Sequence, residues 1–269
     1  MSMMVREQKH ICGEKYDTAP YLEVDLFEIT ESQHKASRRA KKELATSLVK
    51  DKQNQNASRR YLTQLVNTNF GPGDWSITLT YTDENLPAAG DLERADKDFS
   101  NFVKRLYRLC DKRVIGRPKW VCVTEYRTVD DNGKPLGRHH HHAIMSRPAG
   151  LSREDVENLW GKGRARCERI WFDHNSAEGL AKYITKNKRC KRHWRQSRGL
   201  EMPKRPRPND CRWNRKKLQD AFQNRLEDRE FWEKKYPGYR LHRCEARVTG
   251  NATMHMIVMM YRKDGRRPS

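Results

Sequence analysis

The sequence lacks any long apolar run. No stretch of its 269 residues comes near the roughly 20 consecutive apolar residues that a membrane-spanning helix needs. The opening residues, MSMMVREQKHICG, also lack the apolar centre of a secretory signal. We therefore expect a cytoplasmic protein with no membrane partner.

Paired cysteines are also missing. The seven cysteines include no CxxC motif, and their odd number argues against a disulfide framework or a four-cysteine zinc site. Free thiols in a reducing compartment are expected instead. His10 and Cys12, two residues apart, are too few ligands for a metal site by themselves. The chain has no GxxxxGK[ST] loop, which excludes a nucleotide site of the P-loop type.

Acidic residues are few compared with basic ones. The chain has 35 Asp and Glu against 56 Lys and Arg, a formal net charge of +21. This excess indicates a polyanionic partner, and nucleic acid is the expected one. Two stretches, KRHWRQSR (191–198) and PKRPRPNDCRWNRKK (203–217), combine cations for phosphates with aromatic rings for unpaired bases. Trp194 and Trp213 would fit a buried core position equally well.

Alternating apolar residues predict strands, and apolar residues three or four apart predict helices. Strands are expected at 21–30, 75–87, 118–127, 138–145 and 165–173, with a C-terminal hairpin turning at Gly250–Asn251. Helices are expected within 31–68, at 91–112, from a Ser152 cap to Gly161, at 175–189 and at 214–235. The basic stretch 189–217 is predicted to be extended.

Four consecutive histidines occupy RHHHHAIM (138–145). On a strand, His140 and His142 share one face, and His139 and His141 share the other. Glu125 lies on the preceding strand of the predicted hairpin, where its carboxylate can join an imidazole pair. Two imidazoles and one carboxylate suit a divalent ion such as Mn²⁺ or Mg²⁺. We favour His140 and His142 as ligands, with the other face as the alternative; histidines between apolar neighbours are also often hydrogen-bonded core residues.

Three segments in order resemble a known superfamily. ITLTYTDENLP (77–87), HHHAIM (140–145) and AKYITK (181–186) look like the three motifs of HUH endonucleases, specifically the rolling-circle replication initiators (Rep proteins) of phages and plasmids. The resemblance covers about residues 75–190. His141 departs from the bulky apolar residue usual between the paired histidines. Tyr183 follows the histidines, as in initiators, whereas conjugative relaxases often place it before them. Gly179 stands one turn before Tyr183, so the chain resembles the single-tyrosine kind.

The resemblance implies a fold and a division of the chain. We expect an α+β fold with a central antiparallel sheet of about five strands and helices on one side. Residues 1–70 are predicted to form a basic N-terminal strand and helices, and 71–190 the nuclease core. Residues 191–269 are predicted to form a basic segment, a helix and a β-hairpin packed on that core.

The resemblance also implies a chemistry. Tyr183 would attack single-stranded origin DNA to form a 5′-phosphotyrosine, with Lys186 three residues away on the same helix face. Tyr81 and Tyr126 are rival nucleophiles on predicted strands. The implied cofactor is Mn²⁺ or Mg²⁺, and the implied partners are origin DNA and a separate helicase in the bacterial cytoplasm. A mobilisation relaxase and a non-catalytic nucleic-acid-binding protein are the alternatives. The expected DNA contacts are Arg138, Lys182, Lys188, Arg189, Lys191, Arg192, Trp194 and Arg195.

Overall fold

The structure is a computed structural model. It describes residues 3–13, 19–30, 48–129, 135–170, 194–249 and 253–263. The chain forms two compact units. The central unit is Lys52–Glu201, and the terminal unit combines Met1–Asp51 with Met202–Ser269. Within the described residues, no helix has the length and apolar character needed to cross a bilayer.

The central unit contains a five-stranded antiparallel sheet. In spatial order its strands are β6 (Ala165–Arg169), β3 (Trp75–Thr80), β5 (Pro135–Met145), β4 (Trp120–Val129) and β7 (Arg195–Gln196). The histidine strand β5 is therefore central, as the sequence predicts.

Helices cover both faces of this sheet. Helix α1 (Leu48–Asn69) places Leu62, Leu65 and Val66 in a cluster with Val121, Val123 and Ile144, and we call this side the α1 face. On the other side, the α2 face, helix α2 (Leu92–Lys112) buries Phe99, Phe102 and Leu106 against Ile77, Leu79 and Ala143. The expectation of helices on one side only is therefore wrong, because β4 and β5 carry apolar side chains on both faces.

Helix α3 (Arg153–Trp160) also packs on the α2 face, through Val156 and Trp160. Its start was readable from the sequence. The Ser152 side chain accepts a hydrogen bond from the Asp155 N–H, and the Asp155 carboxylate accepts one from the Ser152 N–H. This capping box satisfies two backbone donors at the first turn. The helix ends at Gly161, whose φ of 63° is left-handed.

The terminal unit contains a second five-stranded antiparallel sheet. Its order is β8 (Pro208–Asn209), β1 (Met3–Cys12), β2 (Tyr21–Thr30), β10 (Met254–Arg262) and β9 (Tyr239–Val248). Helices α4 (Arg215–Asn224) and α5 (Arg229–Lys235) bury Leu218 and Trp232 in its core. Trp213 is 3% exposed and belongs to the same core, which decides between its two predicted roles.

The α+β prediction is confirmed, with two differences. The sequence predicted one sheet, whereas the structure has two. Strand β1 was not predicted, and β2 pairs with β1 on one side and with the C-terminal strand β10 on the other. The predicted helix 214–235 is two helices. Asp228 caps α5 by accepting from the Phe231 N–H and also binds Arg225, so the chain breaks between Asn224 and Arg229. The predicted domain boundaries at residues 70 and 190 stay a prediction. The predicted helix 175–189 lies outside the described residues.

Candidate functional site

The register of β5 sets which way each histidine points. His140 pairs with Thr80 of β3 and with Glu125 of β4, and His142 pairs with Thr78 and Val123. Directly paired residues of an antiparallel sheet share a face. His140, His142 and Glu125 therefore lie together on the α1 face, and the even-numbered and odd-numbered histidines separate as strand alternation requires.

The two α1-face histidines are arranged side by side. Their rings are nearly parallel, with an interplanar angle of 9° and centroids 6.4 Å apart. The His142 Nε2 atom lies 3.6 Å from the Glu125 Oε2 atom, and Glu125 is only 3% exposed. On the other side of the ring, His142 Nδ1 lies 3.5 Å from the Thr78 hydroxyl oxygen. If the Thr78 oxygen accepts a hydrogen bond from Nδ1–H, the His142 ring is the tautomer with its proton on Nδ1. The lone pair is then on Nε2, which faces Glu125.

This donor set fits a divalent cation. Ligand atoms bound about 2.1 Å from one ion lie roughly 3.0–3.4 Å apart, close to the His142–Glu125 separation. A buried carboxylate beside two imidazoles offers the oxygen and nitrogen ligands that such ions accept. His140 stands farther off, since its ring is 6.4 Å from that of His142. The His140 side chain would therefore have to move for all three ligand atoms to reach one ion.

The α2-face histidines have a different environment. His141 is fully buried, and its ring lies against Phe99 and Trp160. Its Nε2 is hydrogen-bonded to the Tyr81 hydroxyl at 2.8 Å, and its Nδ1 lies 3.1 Å from the Thr124 hydroxyl. Burial lowers the pKa of His141 to about 3, so the ring is neutral at physiological pH. Both nitrogens are engaged, so metal binding by His141 would cost two buried hydrogen bonds.

His139 is also fully buried on the α2 face. Its ring packs against Tyr126 with centroids 4.7 Å apart, and burial lowers the pKa of the imidazole. Each odd-numbered histidine thus contacts one strand tyrosine. The alternative assignment, with the metal on His139 and His141, has no carboxylate partner comparable to Glu125 among the contacts of the described residues.

The rival nucleophiles lie on this same α2 face. Tyr81 is 3% exposed, its hydroxyl is bonded to His141, and burial raises its pKa. Tyr126 is in ring contact with His139. Neither hydroxyl is directed to the His140–His142 side of the sheet. The predicted nucleophile Tyr183 and its neighbour Lys186 lie outside the described residues.

Three predicted DNA contacts lie within the described residues. Arg138 donates to the Asp83 carboxylate at 2.6 Å and to the Tyr81 carbonyl at 2.8 Å. Arg195 donates to the Asp96 carbonyl and the Ser100 hydroxyl of α2, so its guanidinium connects β7 to α2. The other predicted contacts, Lys182, Lys188, Arg189, Lys191 and Arg192, lie outside the described residues.

Trp194 is the third of these contacts, and it is half-buried on the α1 face. Its ring stacks on Tyr61 of α1, with centroids 6.0 Å apart and an interplanar angle of 29°. Tyr61 is 37% exposed. Sequence reasoning missed this partner, and it also missed Thr78. No local pattern marks either residue, because only the packing of α1 brings Tyr61 to Trp194 and only the register of β3 brings Thr78 to His142.

The sequence comparison covers the segment of the chain that contains this site. Residues 74–188 match a family of replication-associated proteins, the one described as Replication-associated protein ORF2. The match covers less than half of the chain. It begins at the start of β3, spans the histidine strand and extends through 183 and 186. No curated protein and no solved structure matches the chain. The family match supports a replication-associated protein of the Rep type, which implies interaction with DNA.

Proposed function

We propose that this protein initiates rolling-circle replication by nicking and rejoining single-stranded origin DNA. The observation that carries the proposal is the grouping of His140, His142 and Glu125 on one face of a central strand. That strand lies within the segment that matches a replication-associated family. The proposal places the chain in the HUH superfamily, with a single catalytic tyrosine.

In this proposal His140, His142 and Glu125 hold one Mn²⁺ or Mg²⁺ ion. When bound, such an ion supplies Lewis acidity, which polarises a phosphate and offsets the negative charge of the transition state. Glu125 lends the site a buried negative charge, and Thr78 keeps the His142 ring in the tautomer that presents Nε2. The scissile phosphate binds on the α1 side of the two imidazoles.

Tyr183 is the proposed nucleophile. A free tyrosine hydroxyl has a pKa of about 10, so it attacks poorly at neutral pH without help. The Lys186 ammonium favours the phenolate form and holds it in line with the phosphorus. The phenolate oxygen forms a bond to phosphorus while the bond from phosphorus to the 3′ oxygen breaks. The leaving 3′ oxygen takes up a proton from water, which gives a 5′-phosphotyrosine and a free 3′-OH. The new ester retains the energy of the broken one, so rejoining needs no nucleotide, and a separate helicase unwinds the duplex.

The DNA is single-stranded at the site. The stacked pair Tyr61–Trp194 lies on the same face as His142 and offers an aromatic surface to an unpaired base. The basic residues near Trp194 other than Arg195, namely Lys191, Arg192 and Arg198, supply phosphate contacts. Together these features favour an unpaired strand running along the α1 face.

A covalent-adduct assay tests the proposal. The wild-type protein, incubated with Mn²⁺ and a single-stranded origin oligonucleotide, is expected to form a protein–DNA adduct that mass spectrometry locates on Tyr183. Tyr183→Phe removes one oxygen and is expected to bind the oligonucleotide without forming an adduct. Tyr126→Phe is the matched control and is expected to react normally.

Other results would change the conclusion. An adduct on a different tyrosine would overturn the assignment of the nucleophile. Binding with no adduct under either Mn²⁺ or Mg²⁺ would favour a non-catalytic nucleic-acid-binding protein. Cleavage of a transfer origin but not of a replication origin would favour a mobilisation relaxase.

A further inference from the structure

We propose that the terminal unit carries a second metal site, formed by His10, Glu23 and Asp25 and suited to a divalent first-row transition metal. These residues lie on β1 and β2, and the site is separate from the proposed nicking site. His10 pairs directly with Glu23, and Asp25 lies two residues further along the same face. One ligand atom from each side chain lies within 4.8 Å of the other two.

The carboxylates are buried and oriented. Glu23 is 1% exposed and Asp25 is 5% exposed. The Tyr21 hydroxyl donates to Glu23 Oε2 at 2.9 Å, and His255 Nε2 lies 2.9 Å from Asp25 Oδ1. Each of these neighbours engages one oxygen of a carboxylate and so fixes its orientation. Such partners hold ligands in place around protein metal sites.

The distances suit one bound ion. His10 Nε2 lies 3.3 Å from Asp25 Oδ2, which is long for a charged hydrogen bond. Two ligands bound about 2.1 Å from a tetrahedral ion lie roughly 3.4 Å apart. The Glu23 and Asp25 carboxylates each have an oxygen within 4.8 Å of the other, and in a buried setting this favours a cation between them, because their charges repel at low dielectric.

The donor set narrows the choice of metal. One imidazole and two carboxylates form a mixed nitrogen and oxygen set with no thiolate, which suits Zn²⁺ or Mn²⁺ better than Cu⁺. The ligands come from adjacent strands, and β2 continues into a ladder with β10. A bound ion would therefore join β1 and β2 and stabilise the terminal sheet.

The competing interpretation is a hydrogen-bonded network without metal. In that case His10 and His255 each form an ordinary ion pair with Asp25, and no metal ion is bound by His10, Glu23 and Asp25. The two interpretations differ in whether the folded protein takes up a metal ion in addition to one at His140 and His142.

The experiment uses the full-length His140→Ala/His142→Ala protein, which lacks the ligands of the nicking site. After chelation and dialysis, this protein is titrated with Zn²⁺ and separately with Mn²⁺, and bound metal is counted by mass spectrometry. We expect one equivalent of at least one ion to bind and to raise the melting temperature, because a ligand of the native state stabilises it. Co²⁺ titrated into the same protein is expected to give d–d absorption bands from a site with a nitrogen ligand.

Added substitutions locate the ion. His10→Gln and Glu23→Gln in this background are each expected to abolish the stoichiometric uptake. His255→Gln, which removes the imidazole beside Asp25 Oδ1, is expected to weaken binding by roughly 10–100-fold. His242→Gln, on the edge strand β9, is the control and is expected to retain the metal.

The proposal is overturned by absence of uptake in the His140→Ala/His142→Ala protein, a result that needs no further variant to fold. It is also overturned if folded His10→Gln and Glu23→Gln proteins bind as much metal as their parent. Neither result bears on the nicking site, which is tested by the Tyr183 adduct.

Discussion

The Tyr81 hydroxyl, on the residue directly after β3, and the His141 Nε2 atom of β5 form a 2.8 Å hydrogen bond inside the core of the central unit. Tyr81 and His141 resemble catalytic groups in the sequence, but this bond engages both side chains in the packing of the core. Strand alternation places the neighbouring histidines, His140 and His142, on the opposite face with Glu125.

Tyr81→Phe tests this structural role. The substitution leaves His141 with a buried nitrogen that has lost its partner, and we expect the free energy of unfolding to fall by about 1–3 kcal/mol. Adduct formation at a temperature where the variant is folded should stay at the wild-type level. Urea denaturation and the oligonucleotide assay measure the two effects, and loss of the adduct in a folded variant would make Tyr81 a candidate nucleophile again.

The effect of an alanine substitution on metal-dependent cleavage is expected to depend on which face of β5 the histidine occupies. His140→Ala and His142→Ala should each remove metal-dependent cleavage while the fold survives, since each removes a proposed ligand. His139→Ala should leave the metal bound. If His139→Ala abolishes cleavage and His140→Ala does not, the ligands lie on the other face.

Thr78→Val tests how the His142 ring is held. Valine keeps the volume but removes the oxygen near Nδ1, so we expect the affinity of the site for Mn²⁺ to fall by roughly 10–100-fold. Isothermal titration in the protein with His10→Gln isolates this site from the second proposed one. Thr80→Val is the matched control, because the Thr80 hydroxyl donates to the Arg164 carbonyl. Equal affinities in the two variants would contradict the role of Thr78.

Trp194→Ala should weaken binding of single-stranded DNA more than binding of duplex DNA. Stacking of one unpaired base on an aromatic ring contributes about 1–3 kcal/mol, and a paired base cannot reach the ring. The dependence of affinity on salt should stay steep, since the Lys and Arg contacts remain. Fluorescence anisotropy at several salt concentrations measures both, and an equal loss for the two kinds of DNA would indicate damage to the fold.

Gly163→Ala should destabilise the central unit by about 1–3 kcal/mol. Gly163 has a φ of 154°, and a Cβ there would lie 2.5 Å from the Thr80 carbonyl oxygen and 2.7 Å from the Thr82 nitrogen. Both contacts are backbone atoms that cannot rotate away. Gly116→Ala is the control, because a Cβ at Gly116 meets no atom within 4 Å. Thermal melts of the two variants should differ clearly.

The capping carboxylate of α3 should make stability depend on pH. Hydrogen bonds from Arg113 hold the pKa of Asp155 well below its usual range. A carboxylate whose pKa is lowered by folding stabilises the protein fully above its unfolded value, near 3.8, and this contribution is lost as pH falls further. The melting temperature of Asp155→Asn should therefore be lower than that of the wild type at pH 7. The difference between the two melting temperatures should become smaller below about pH 4. Asp111→Asn, in a more exposed pair with Arg117, should show a smaller gap.

The sequence alone determined the local features of the site. Strand alternation separates His140 and His142 from His139 and His141 whatever the rest of the fold does, because successive side chains on a strand point to opposite faces. The same local periodicity predicted the buried stripe of α2, which includes Phe99 and Leu106, and the capping side chain of Ser152 predicted the start of α3.

Only the tertiary structure decided which distant segments pair and what they bring together. Strand β2 has β1 on one side and β10 on the other, and β10 is far along the chain, so no local pattern reveals that ladder. The register across these strands puts His10 beside Glu23 and Asp25, and packing places Trp213 in a core and Trp194 against Tyr61. Pairing and packing depend on surfaces buried between segments far apart in sequence, whereas alternation and capping depend on neighbours within a few residues.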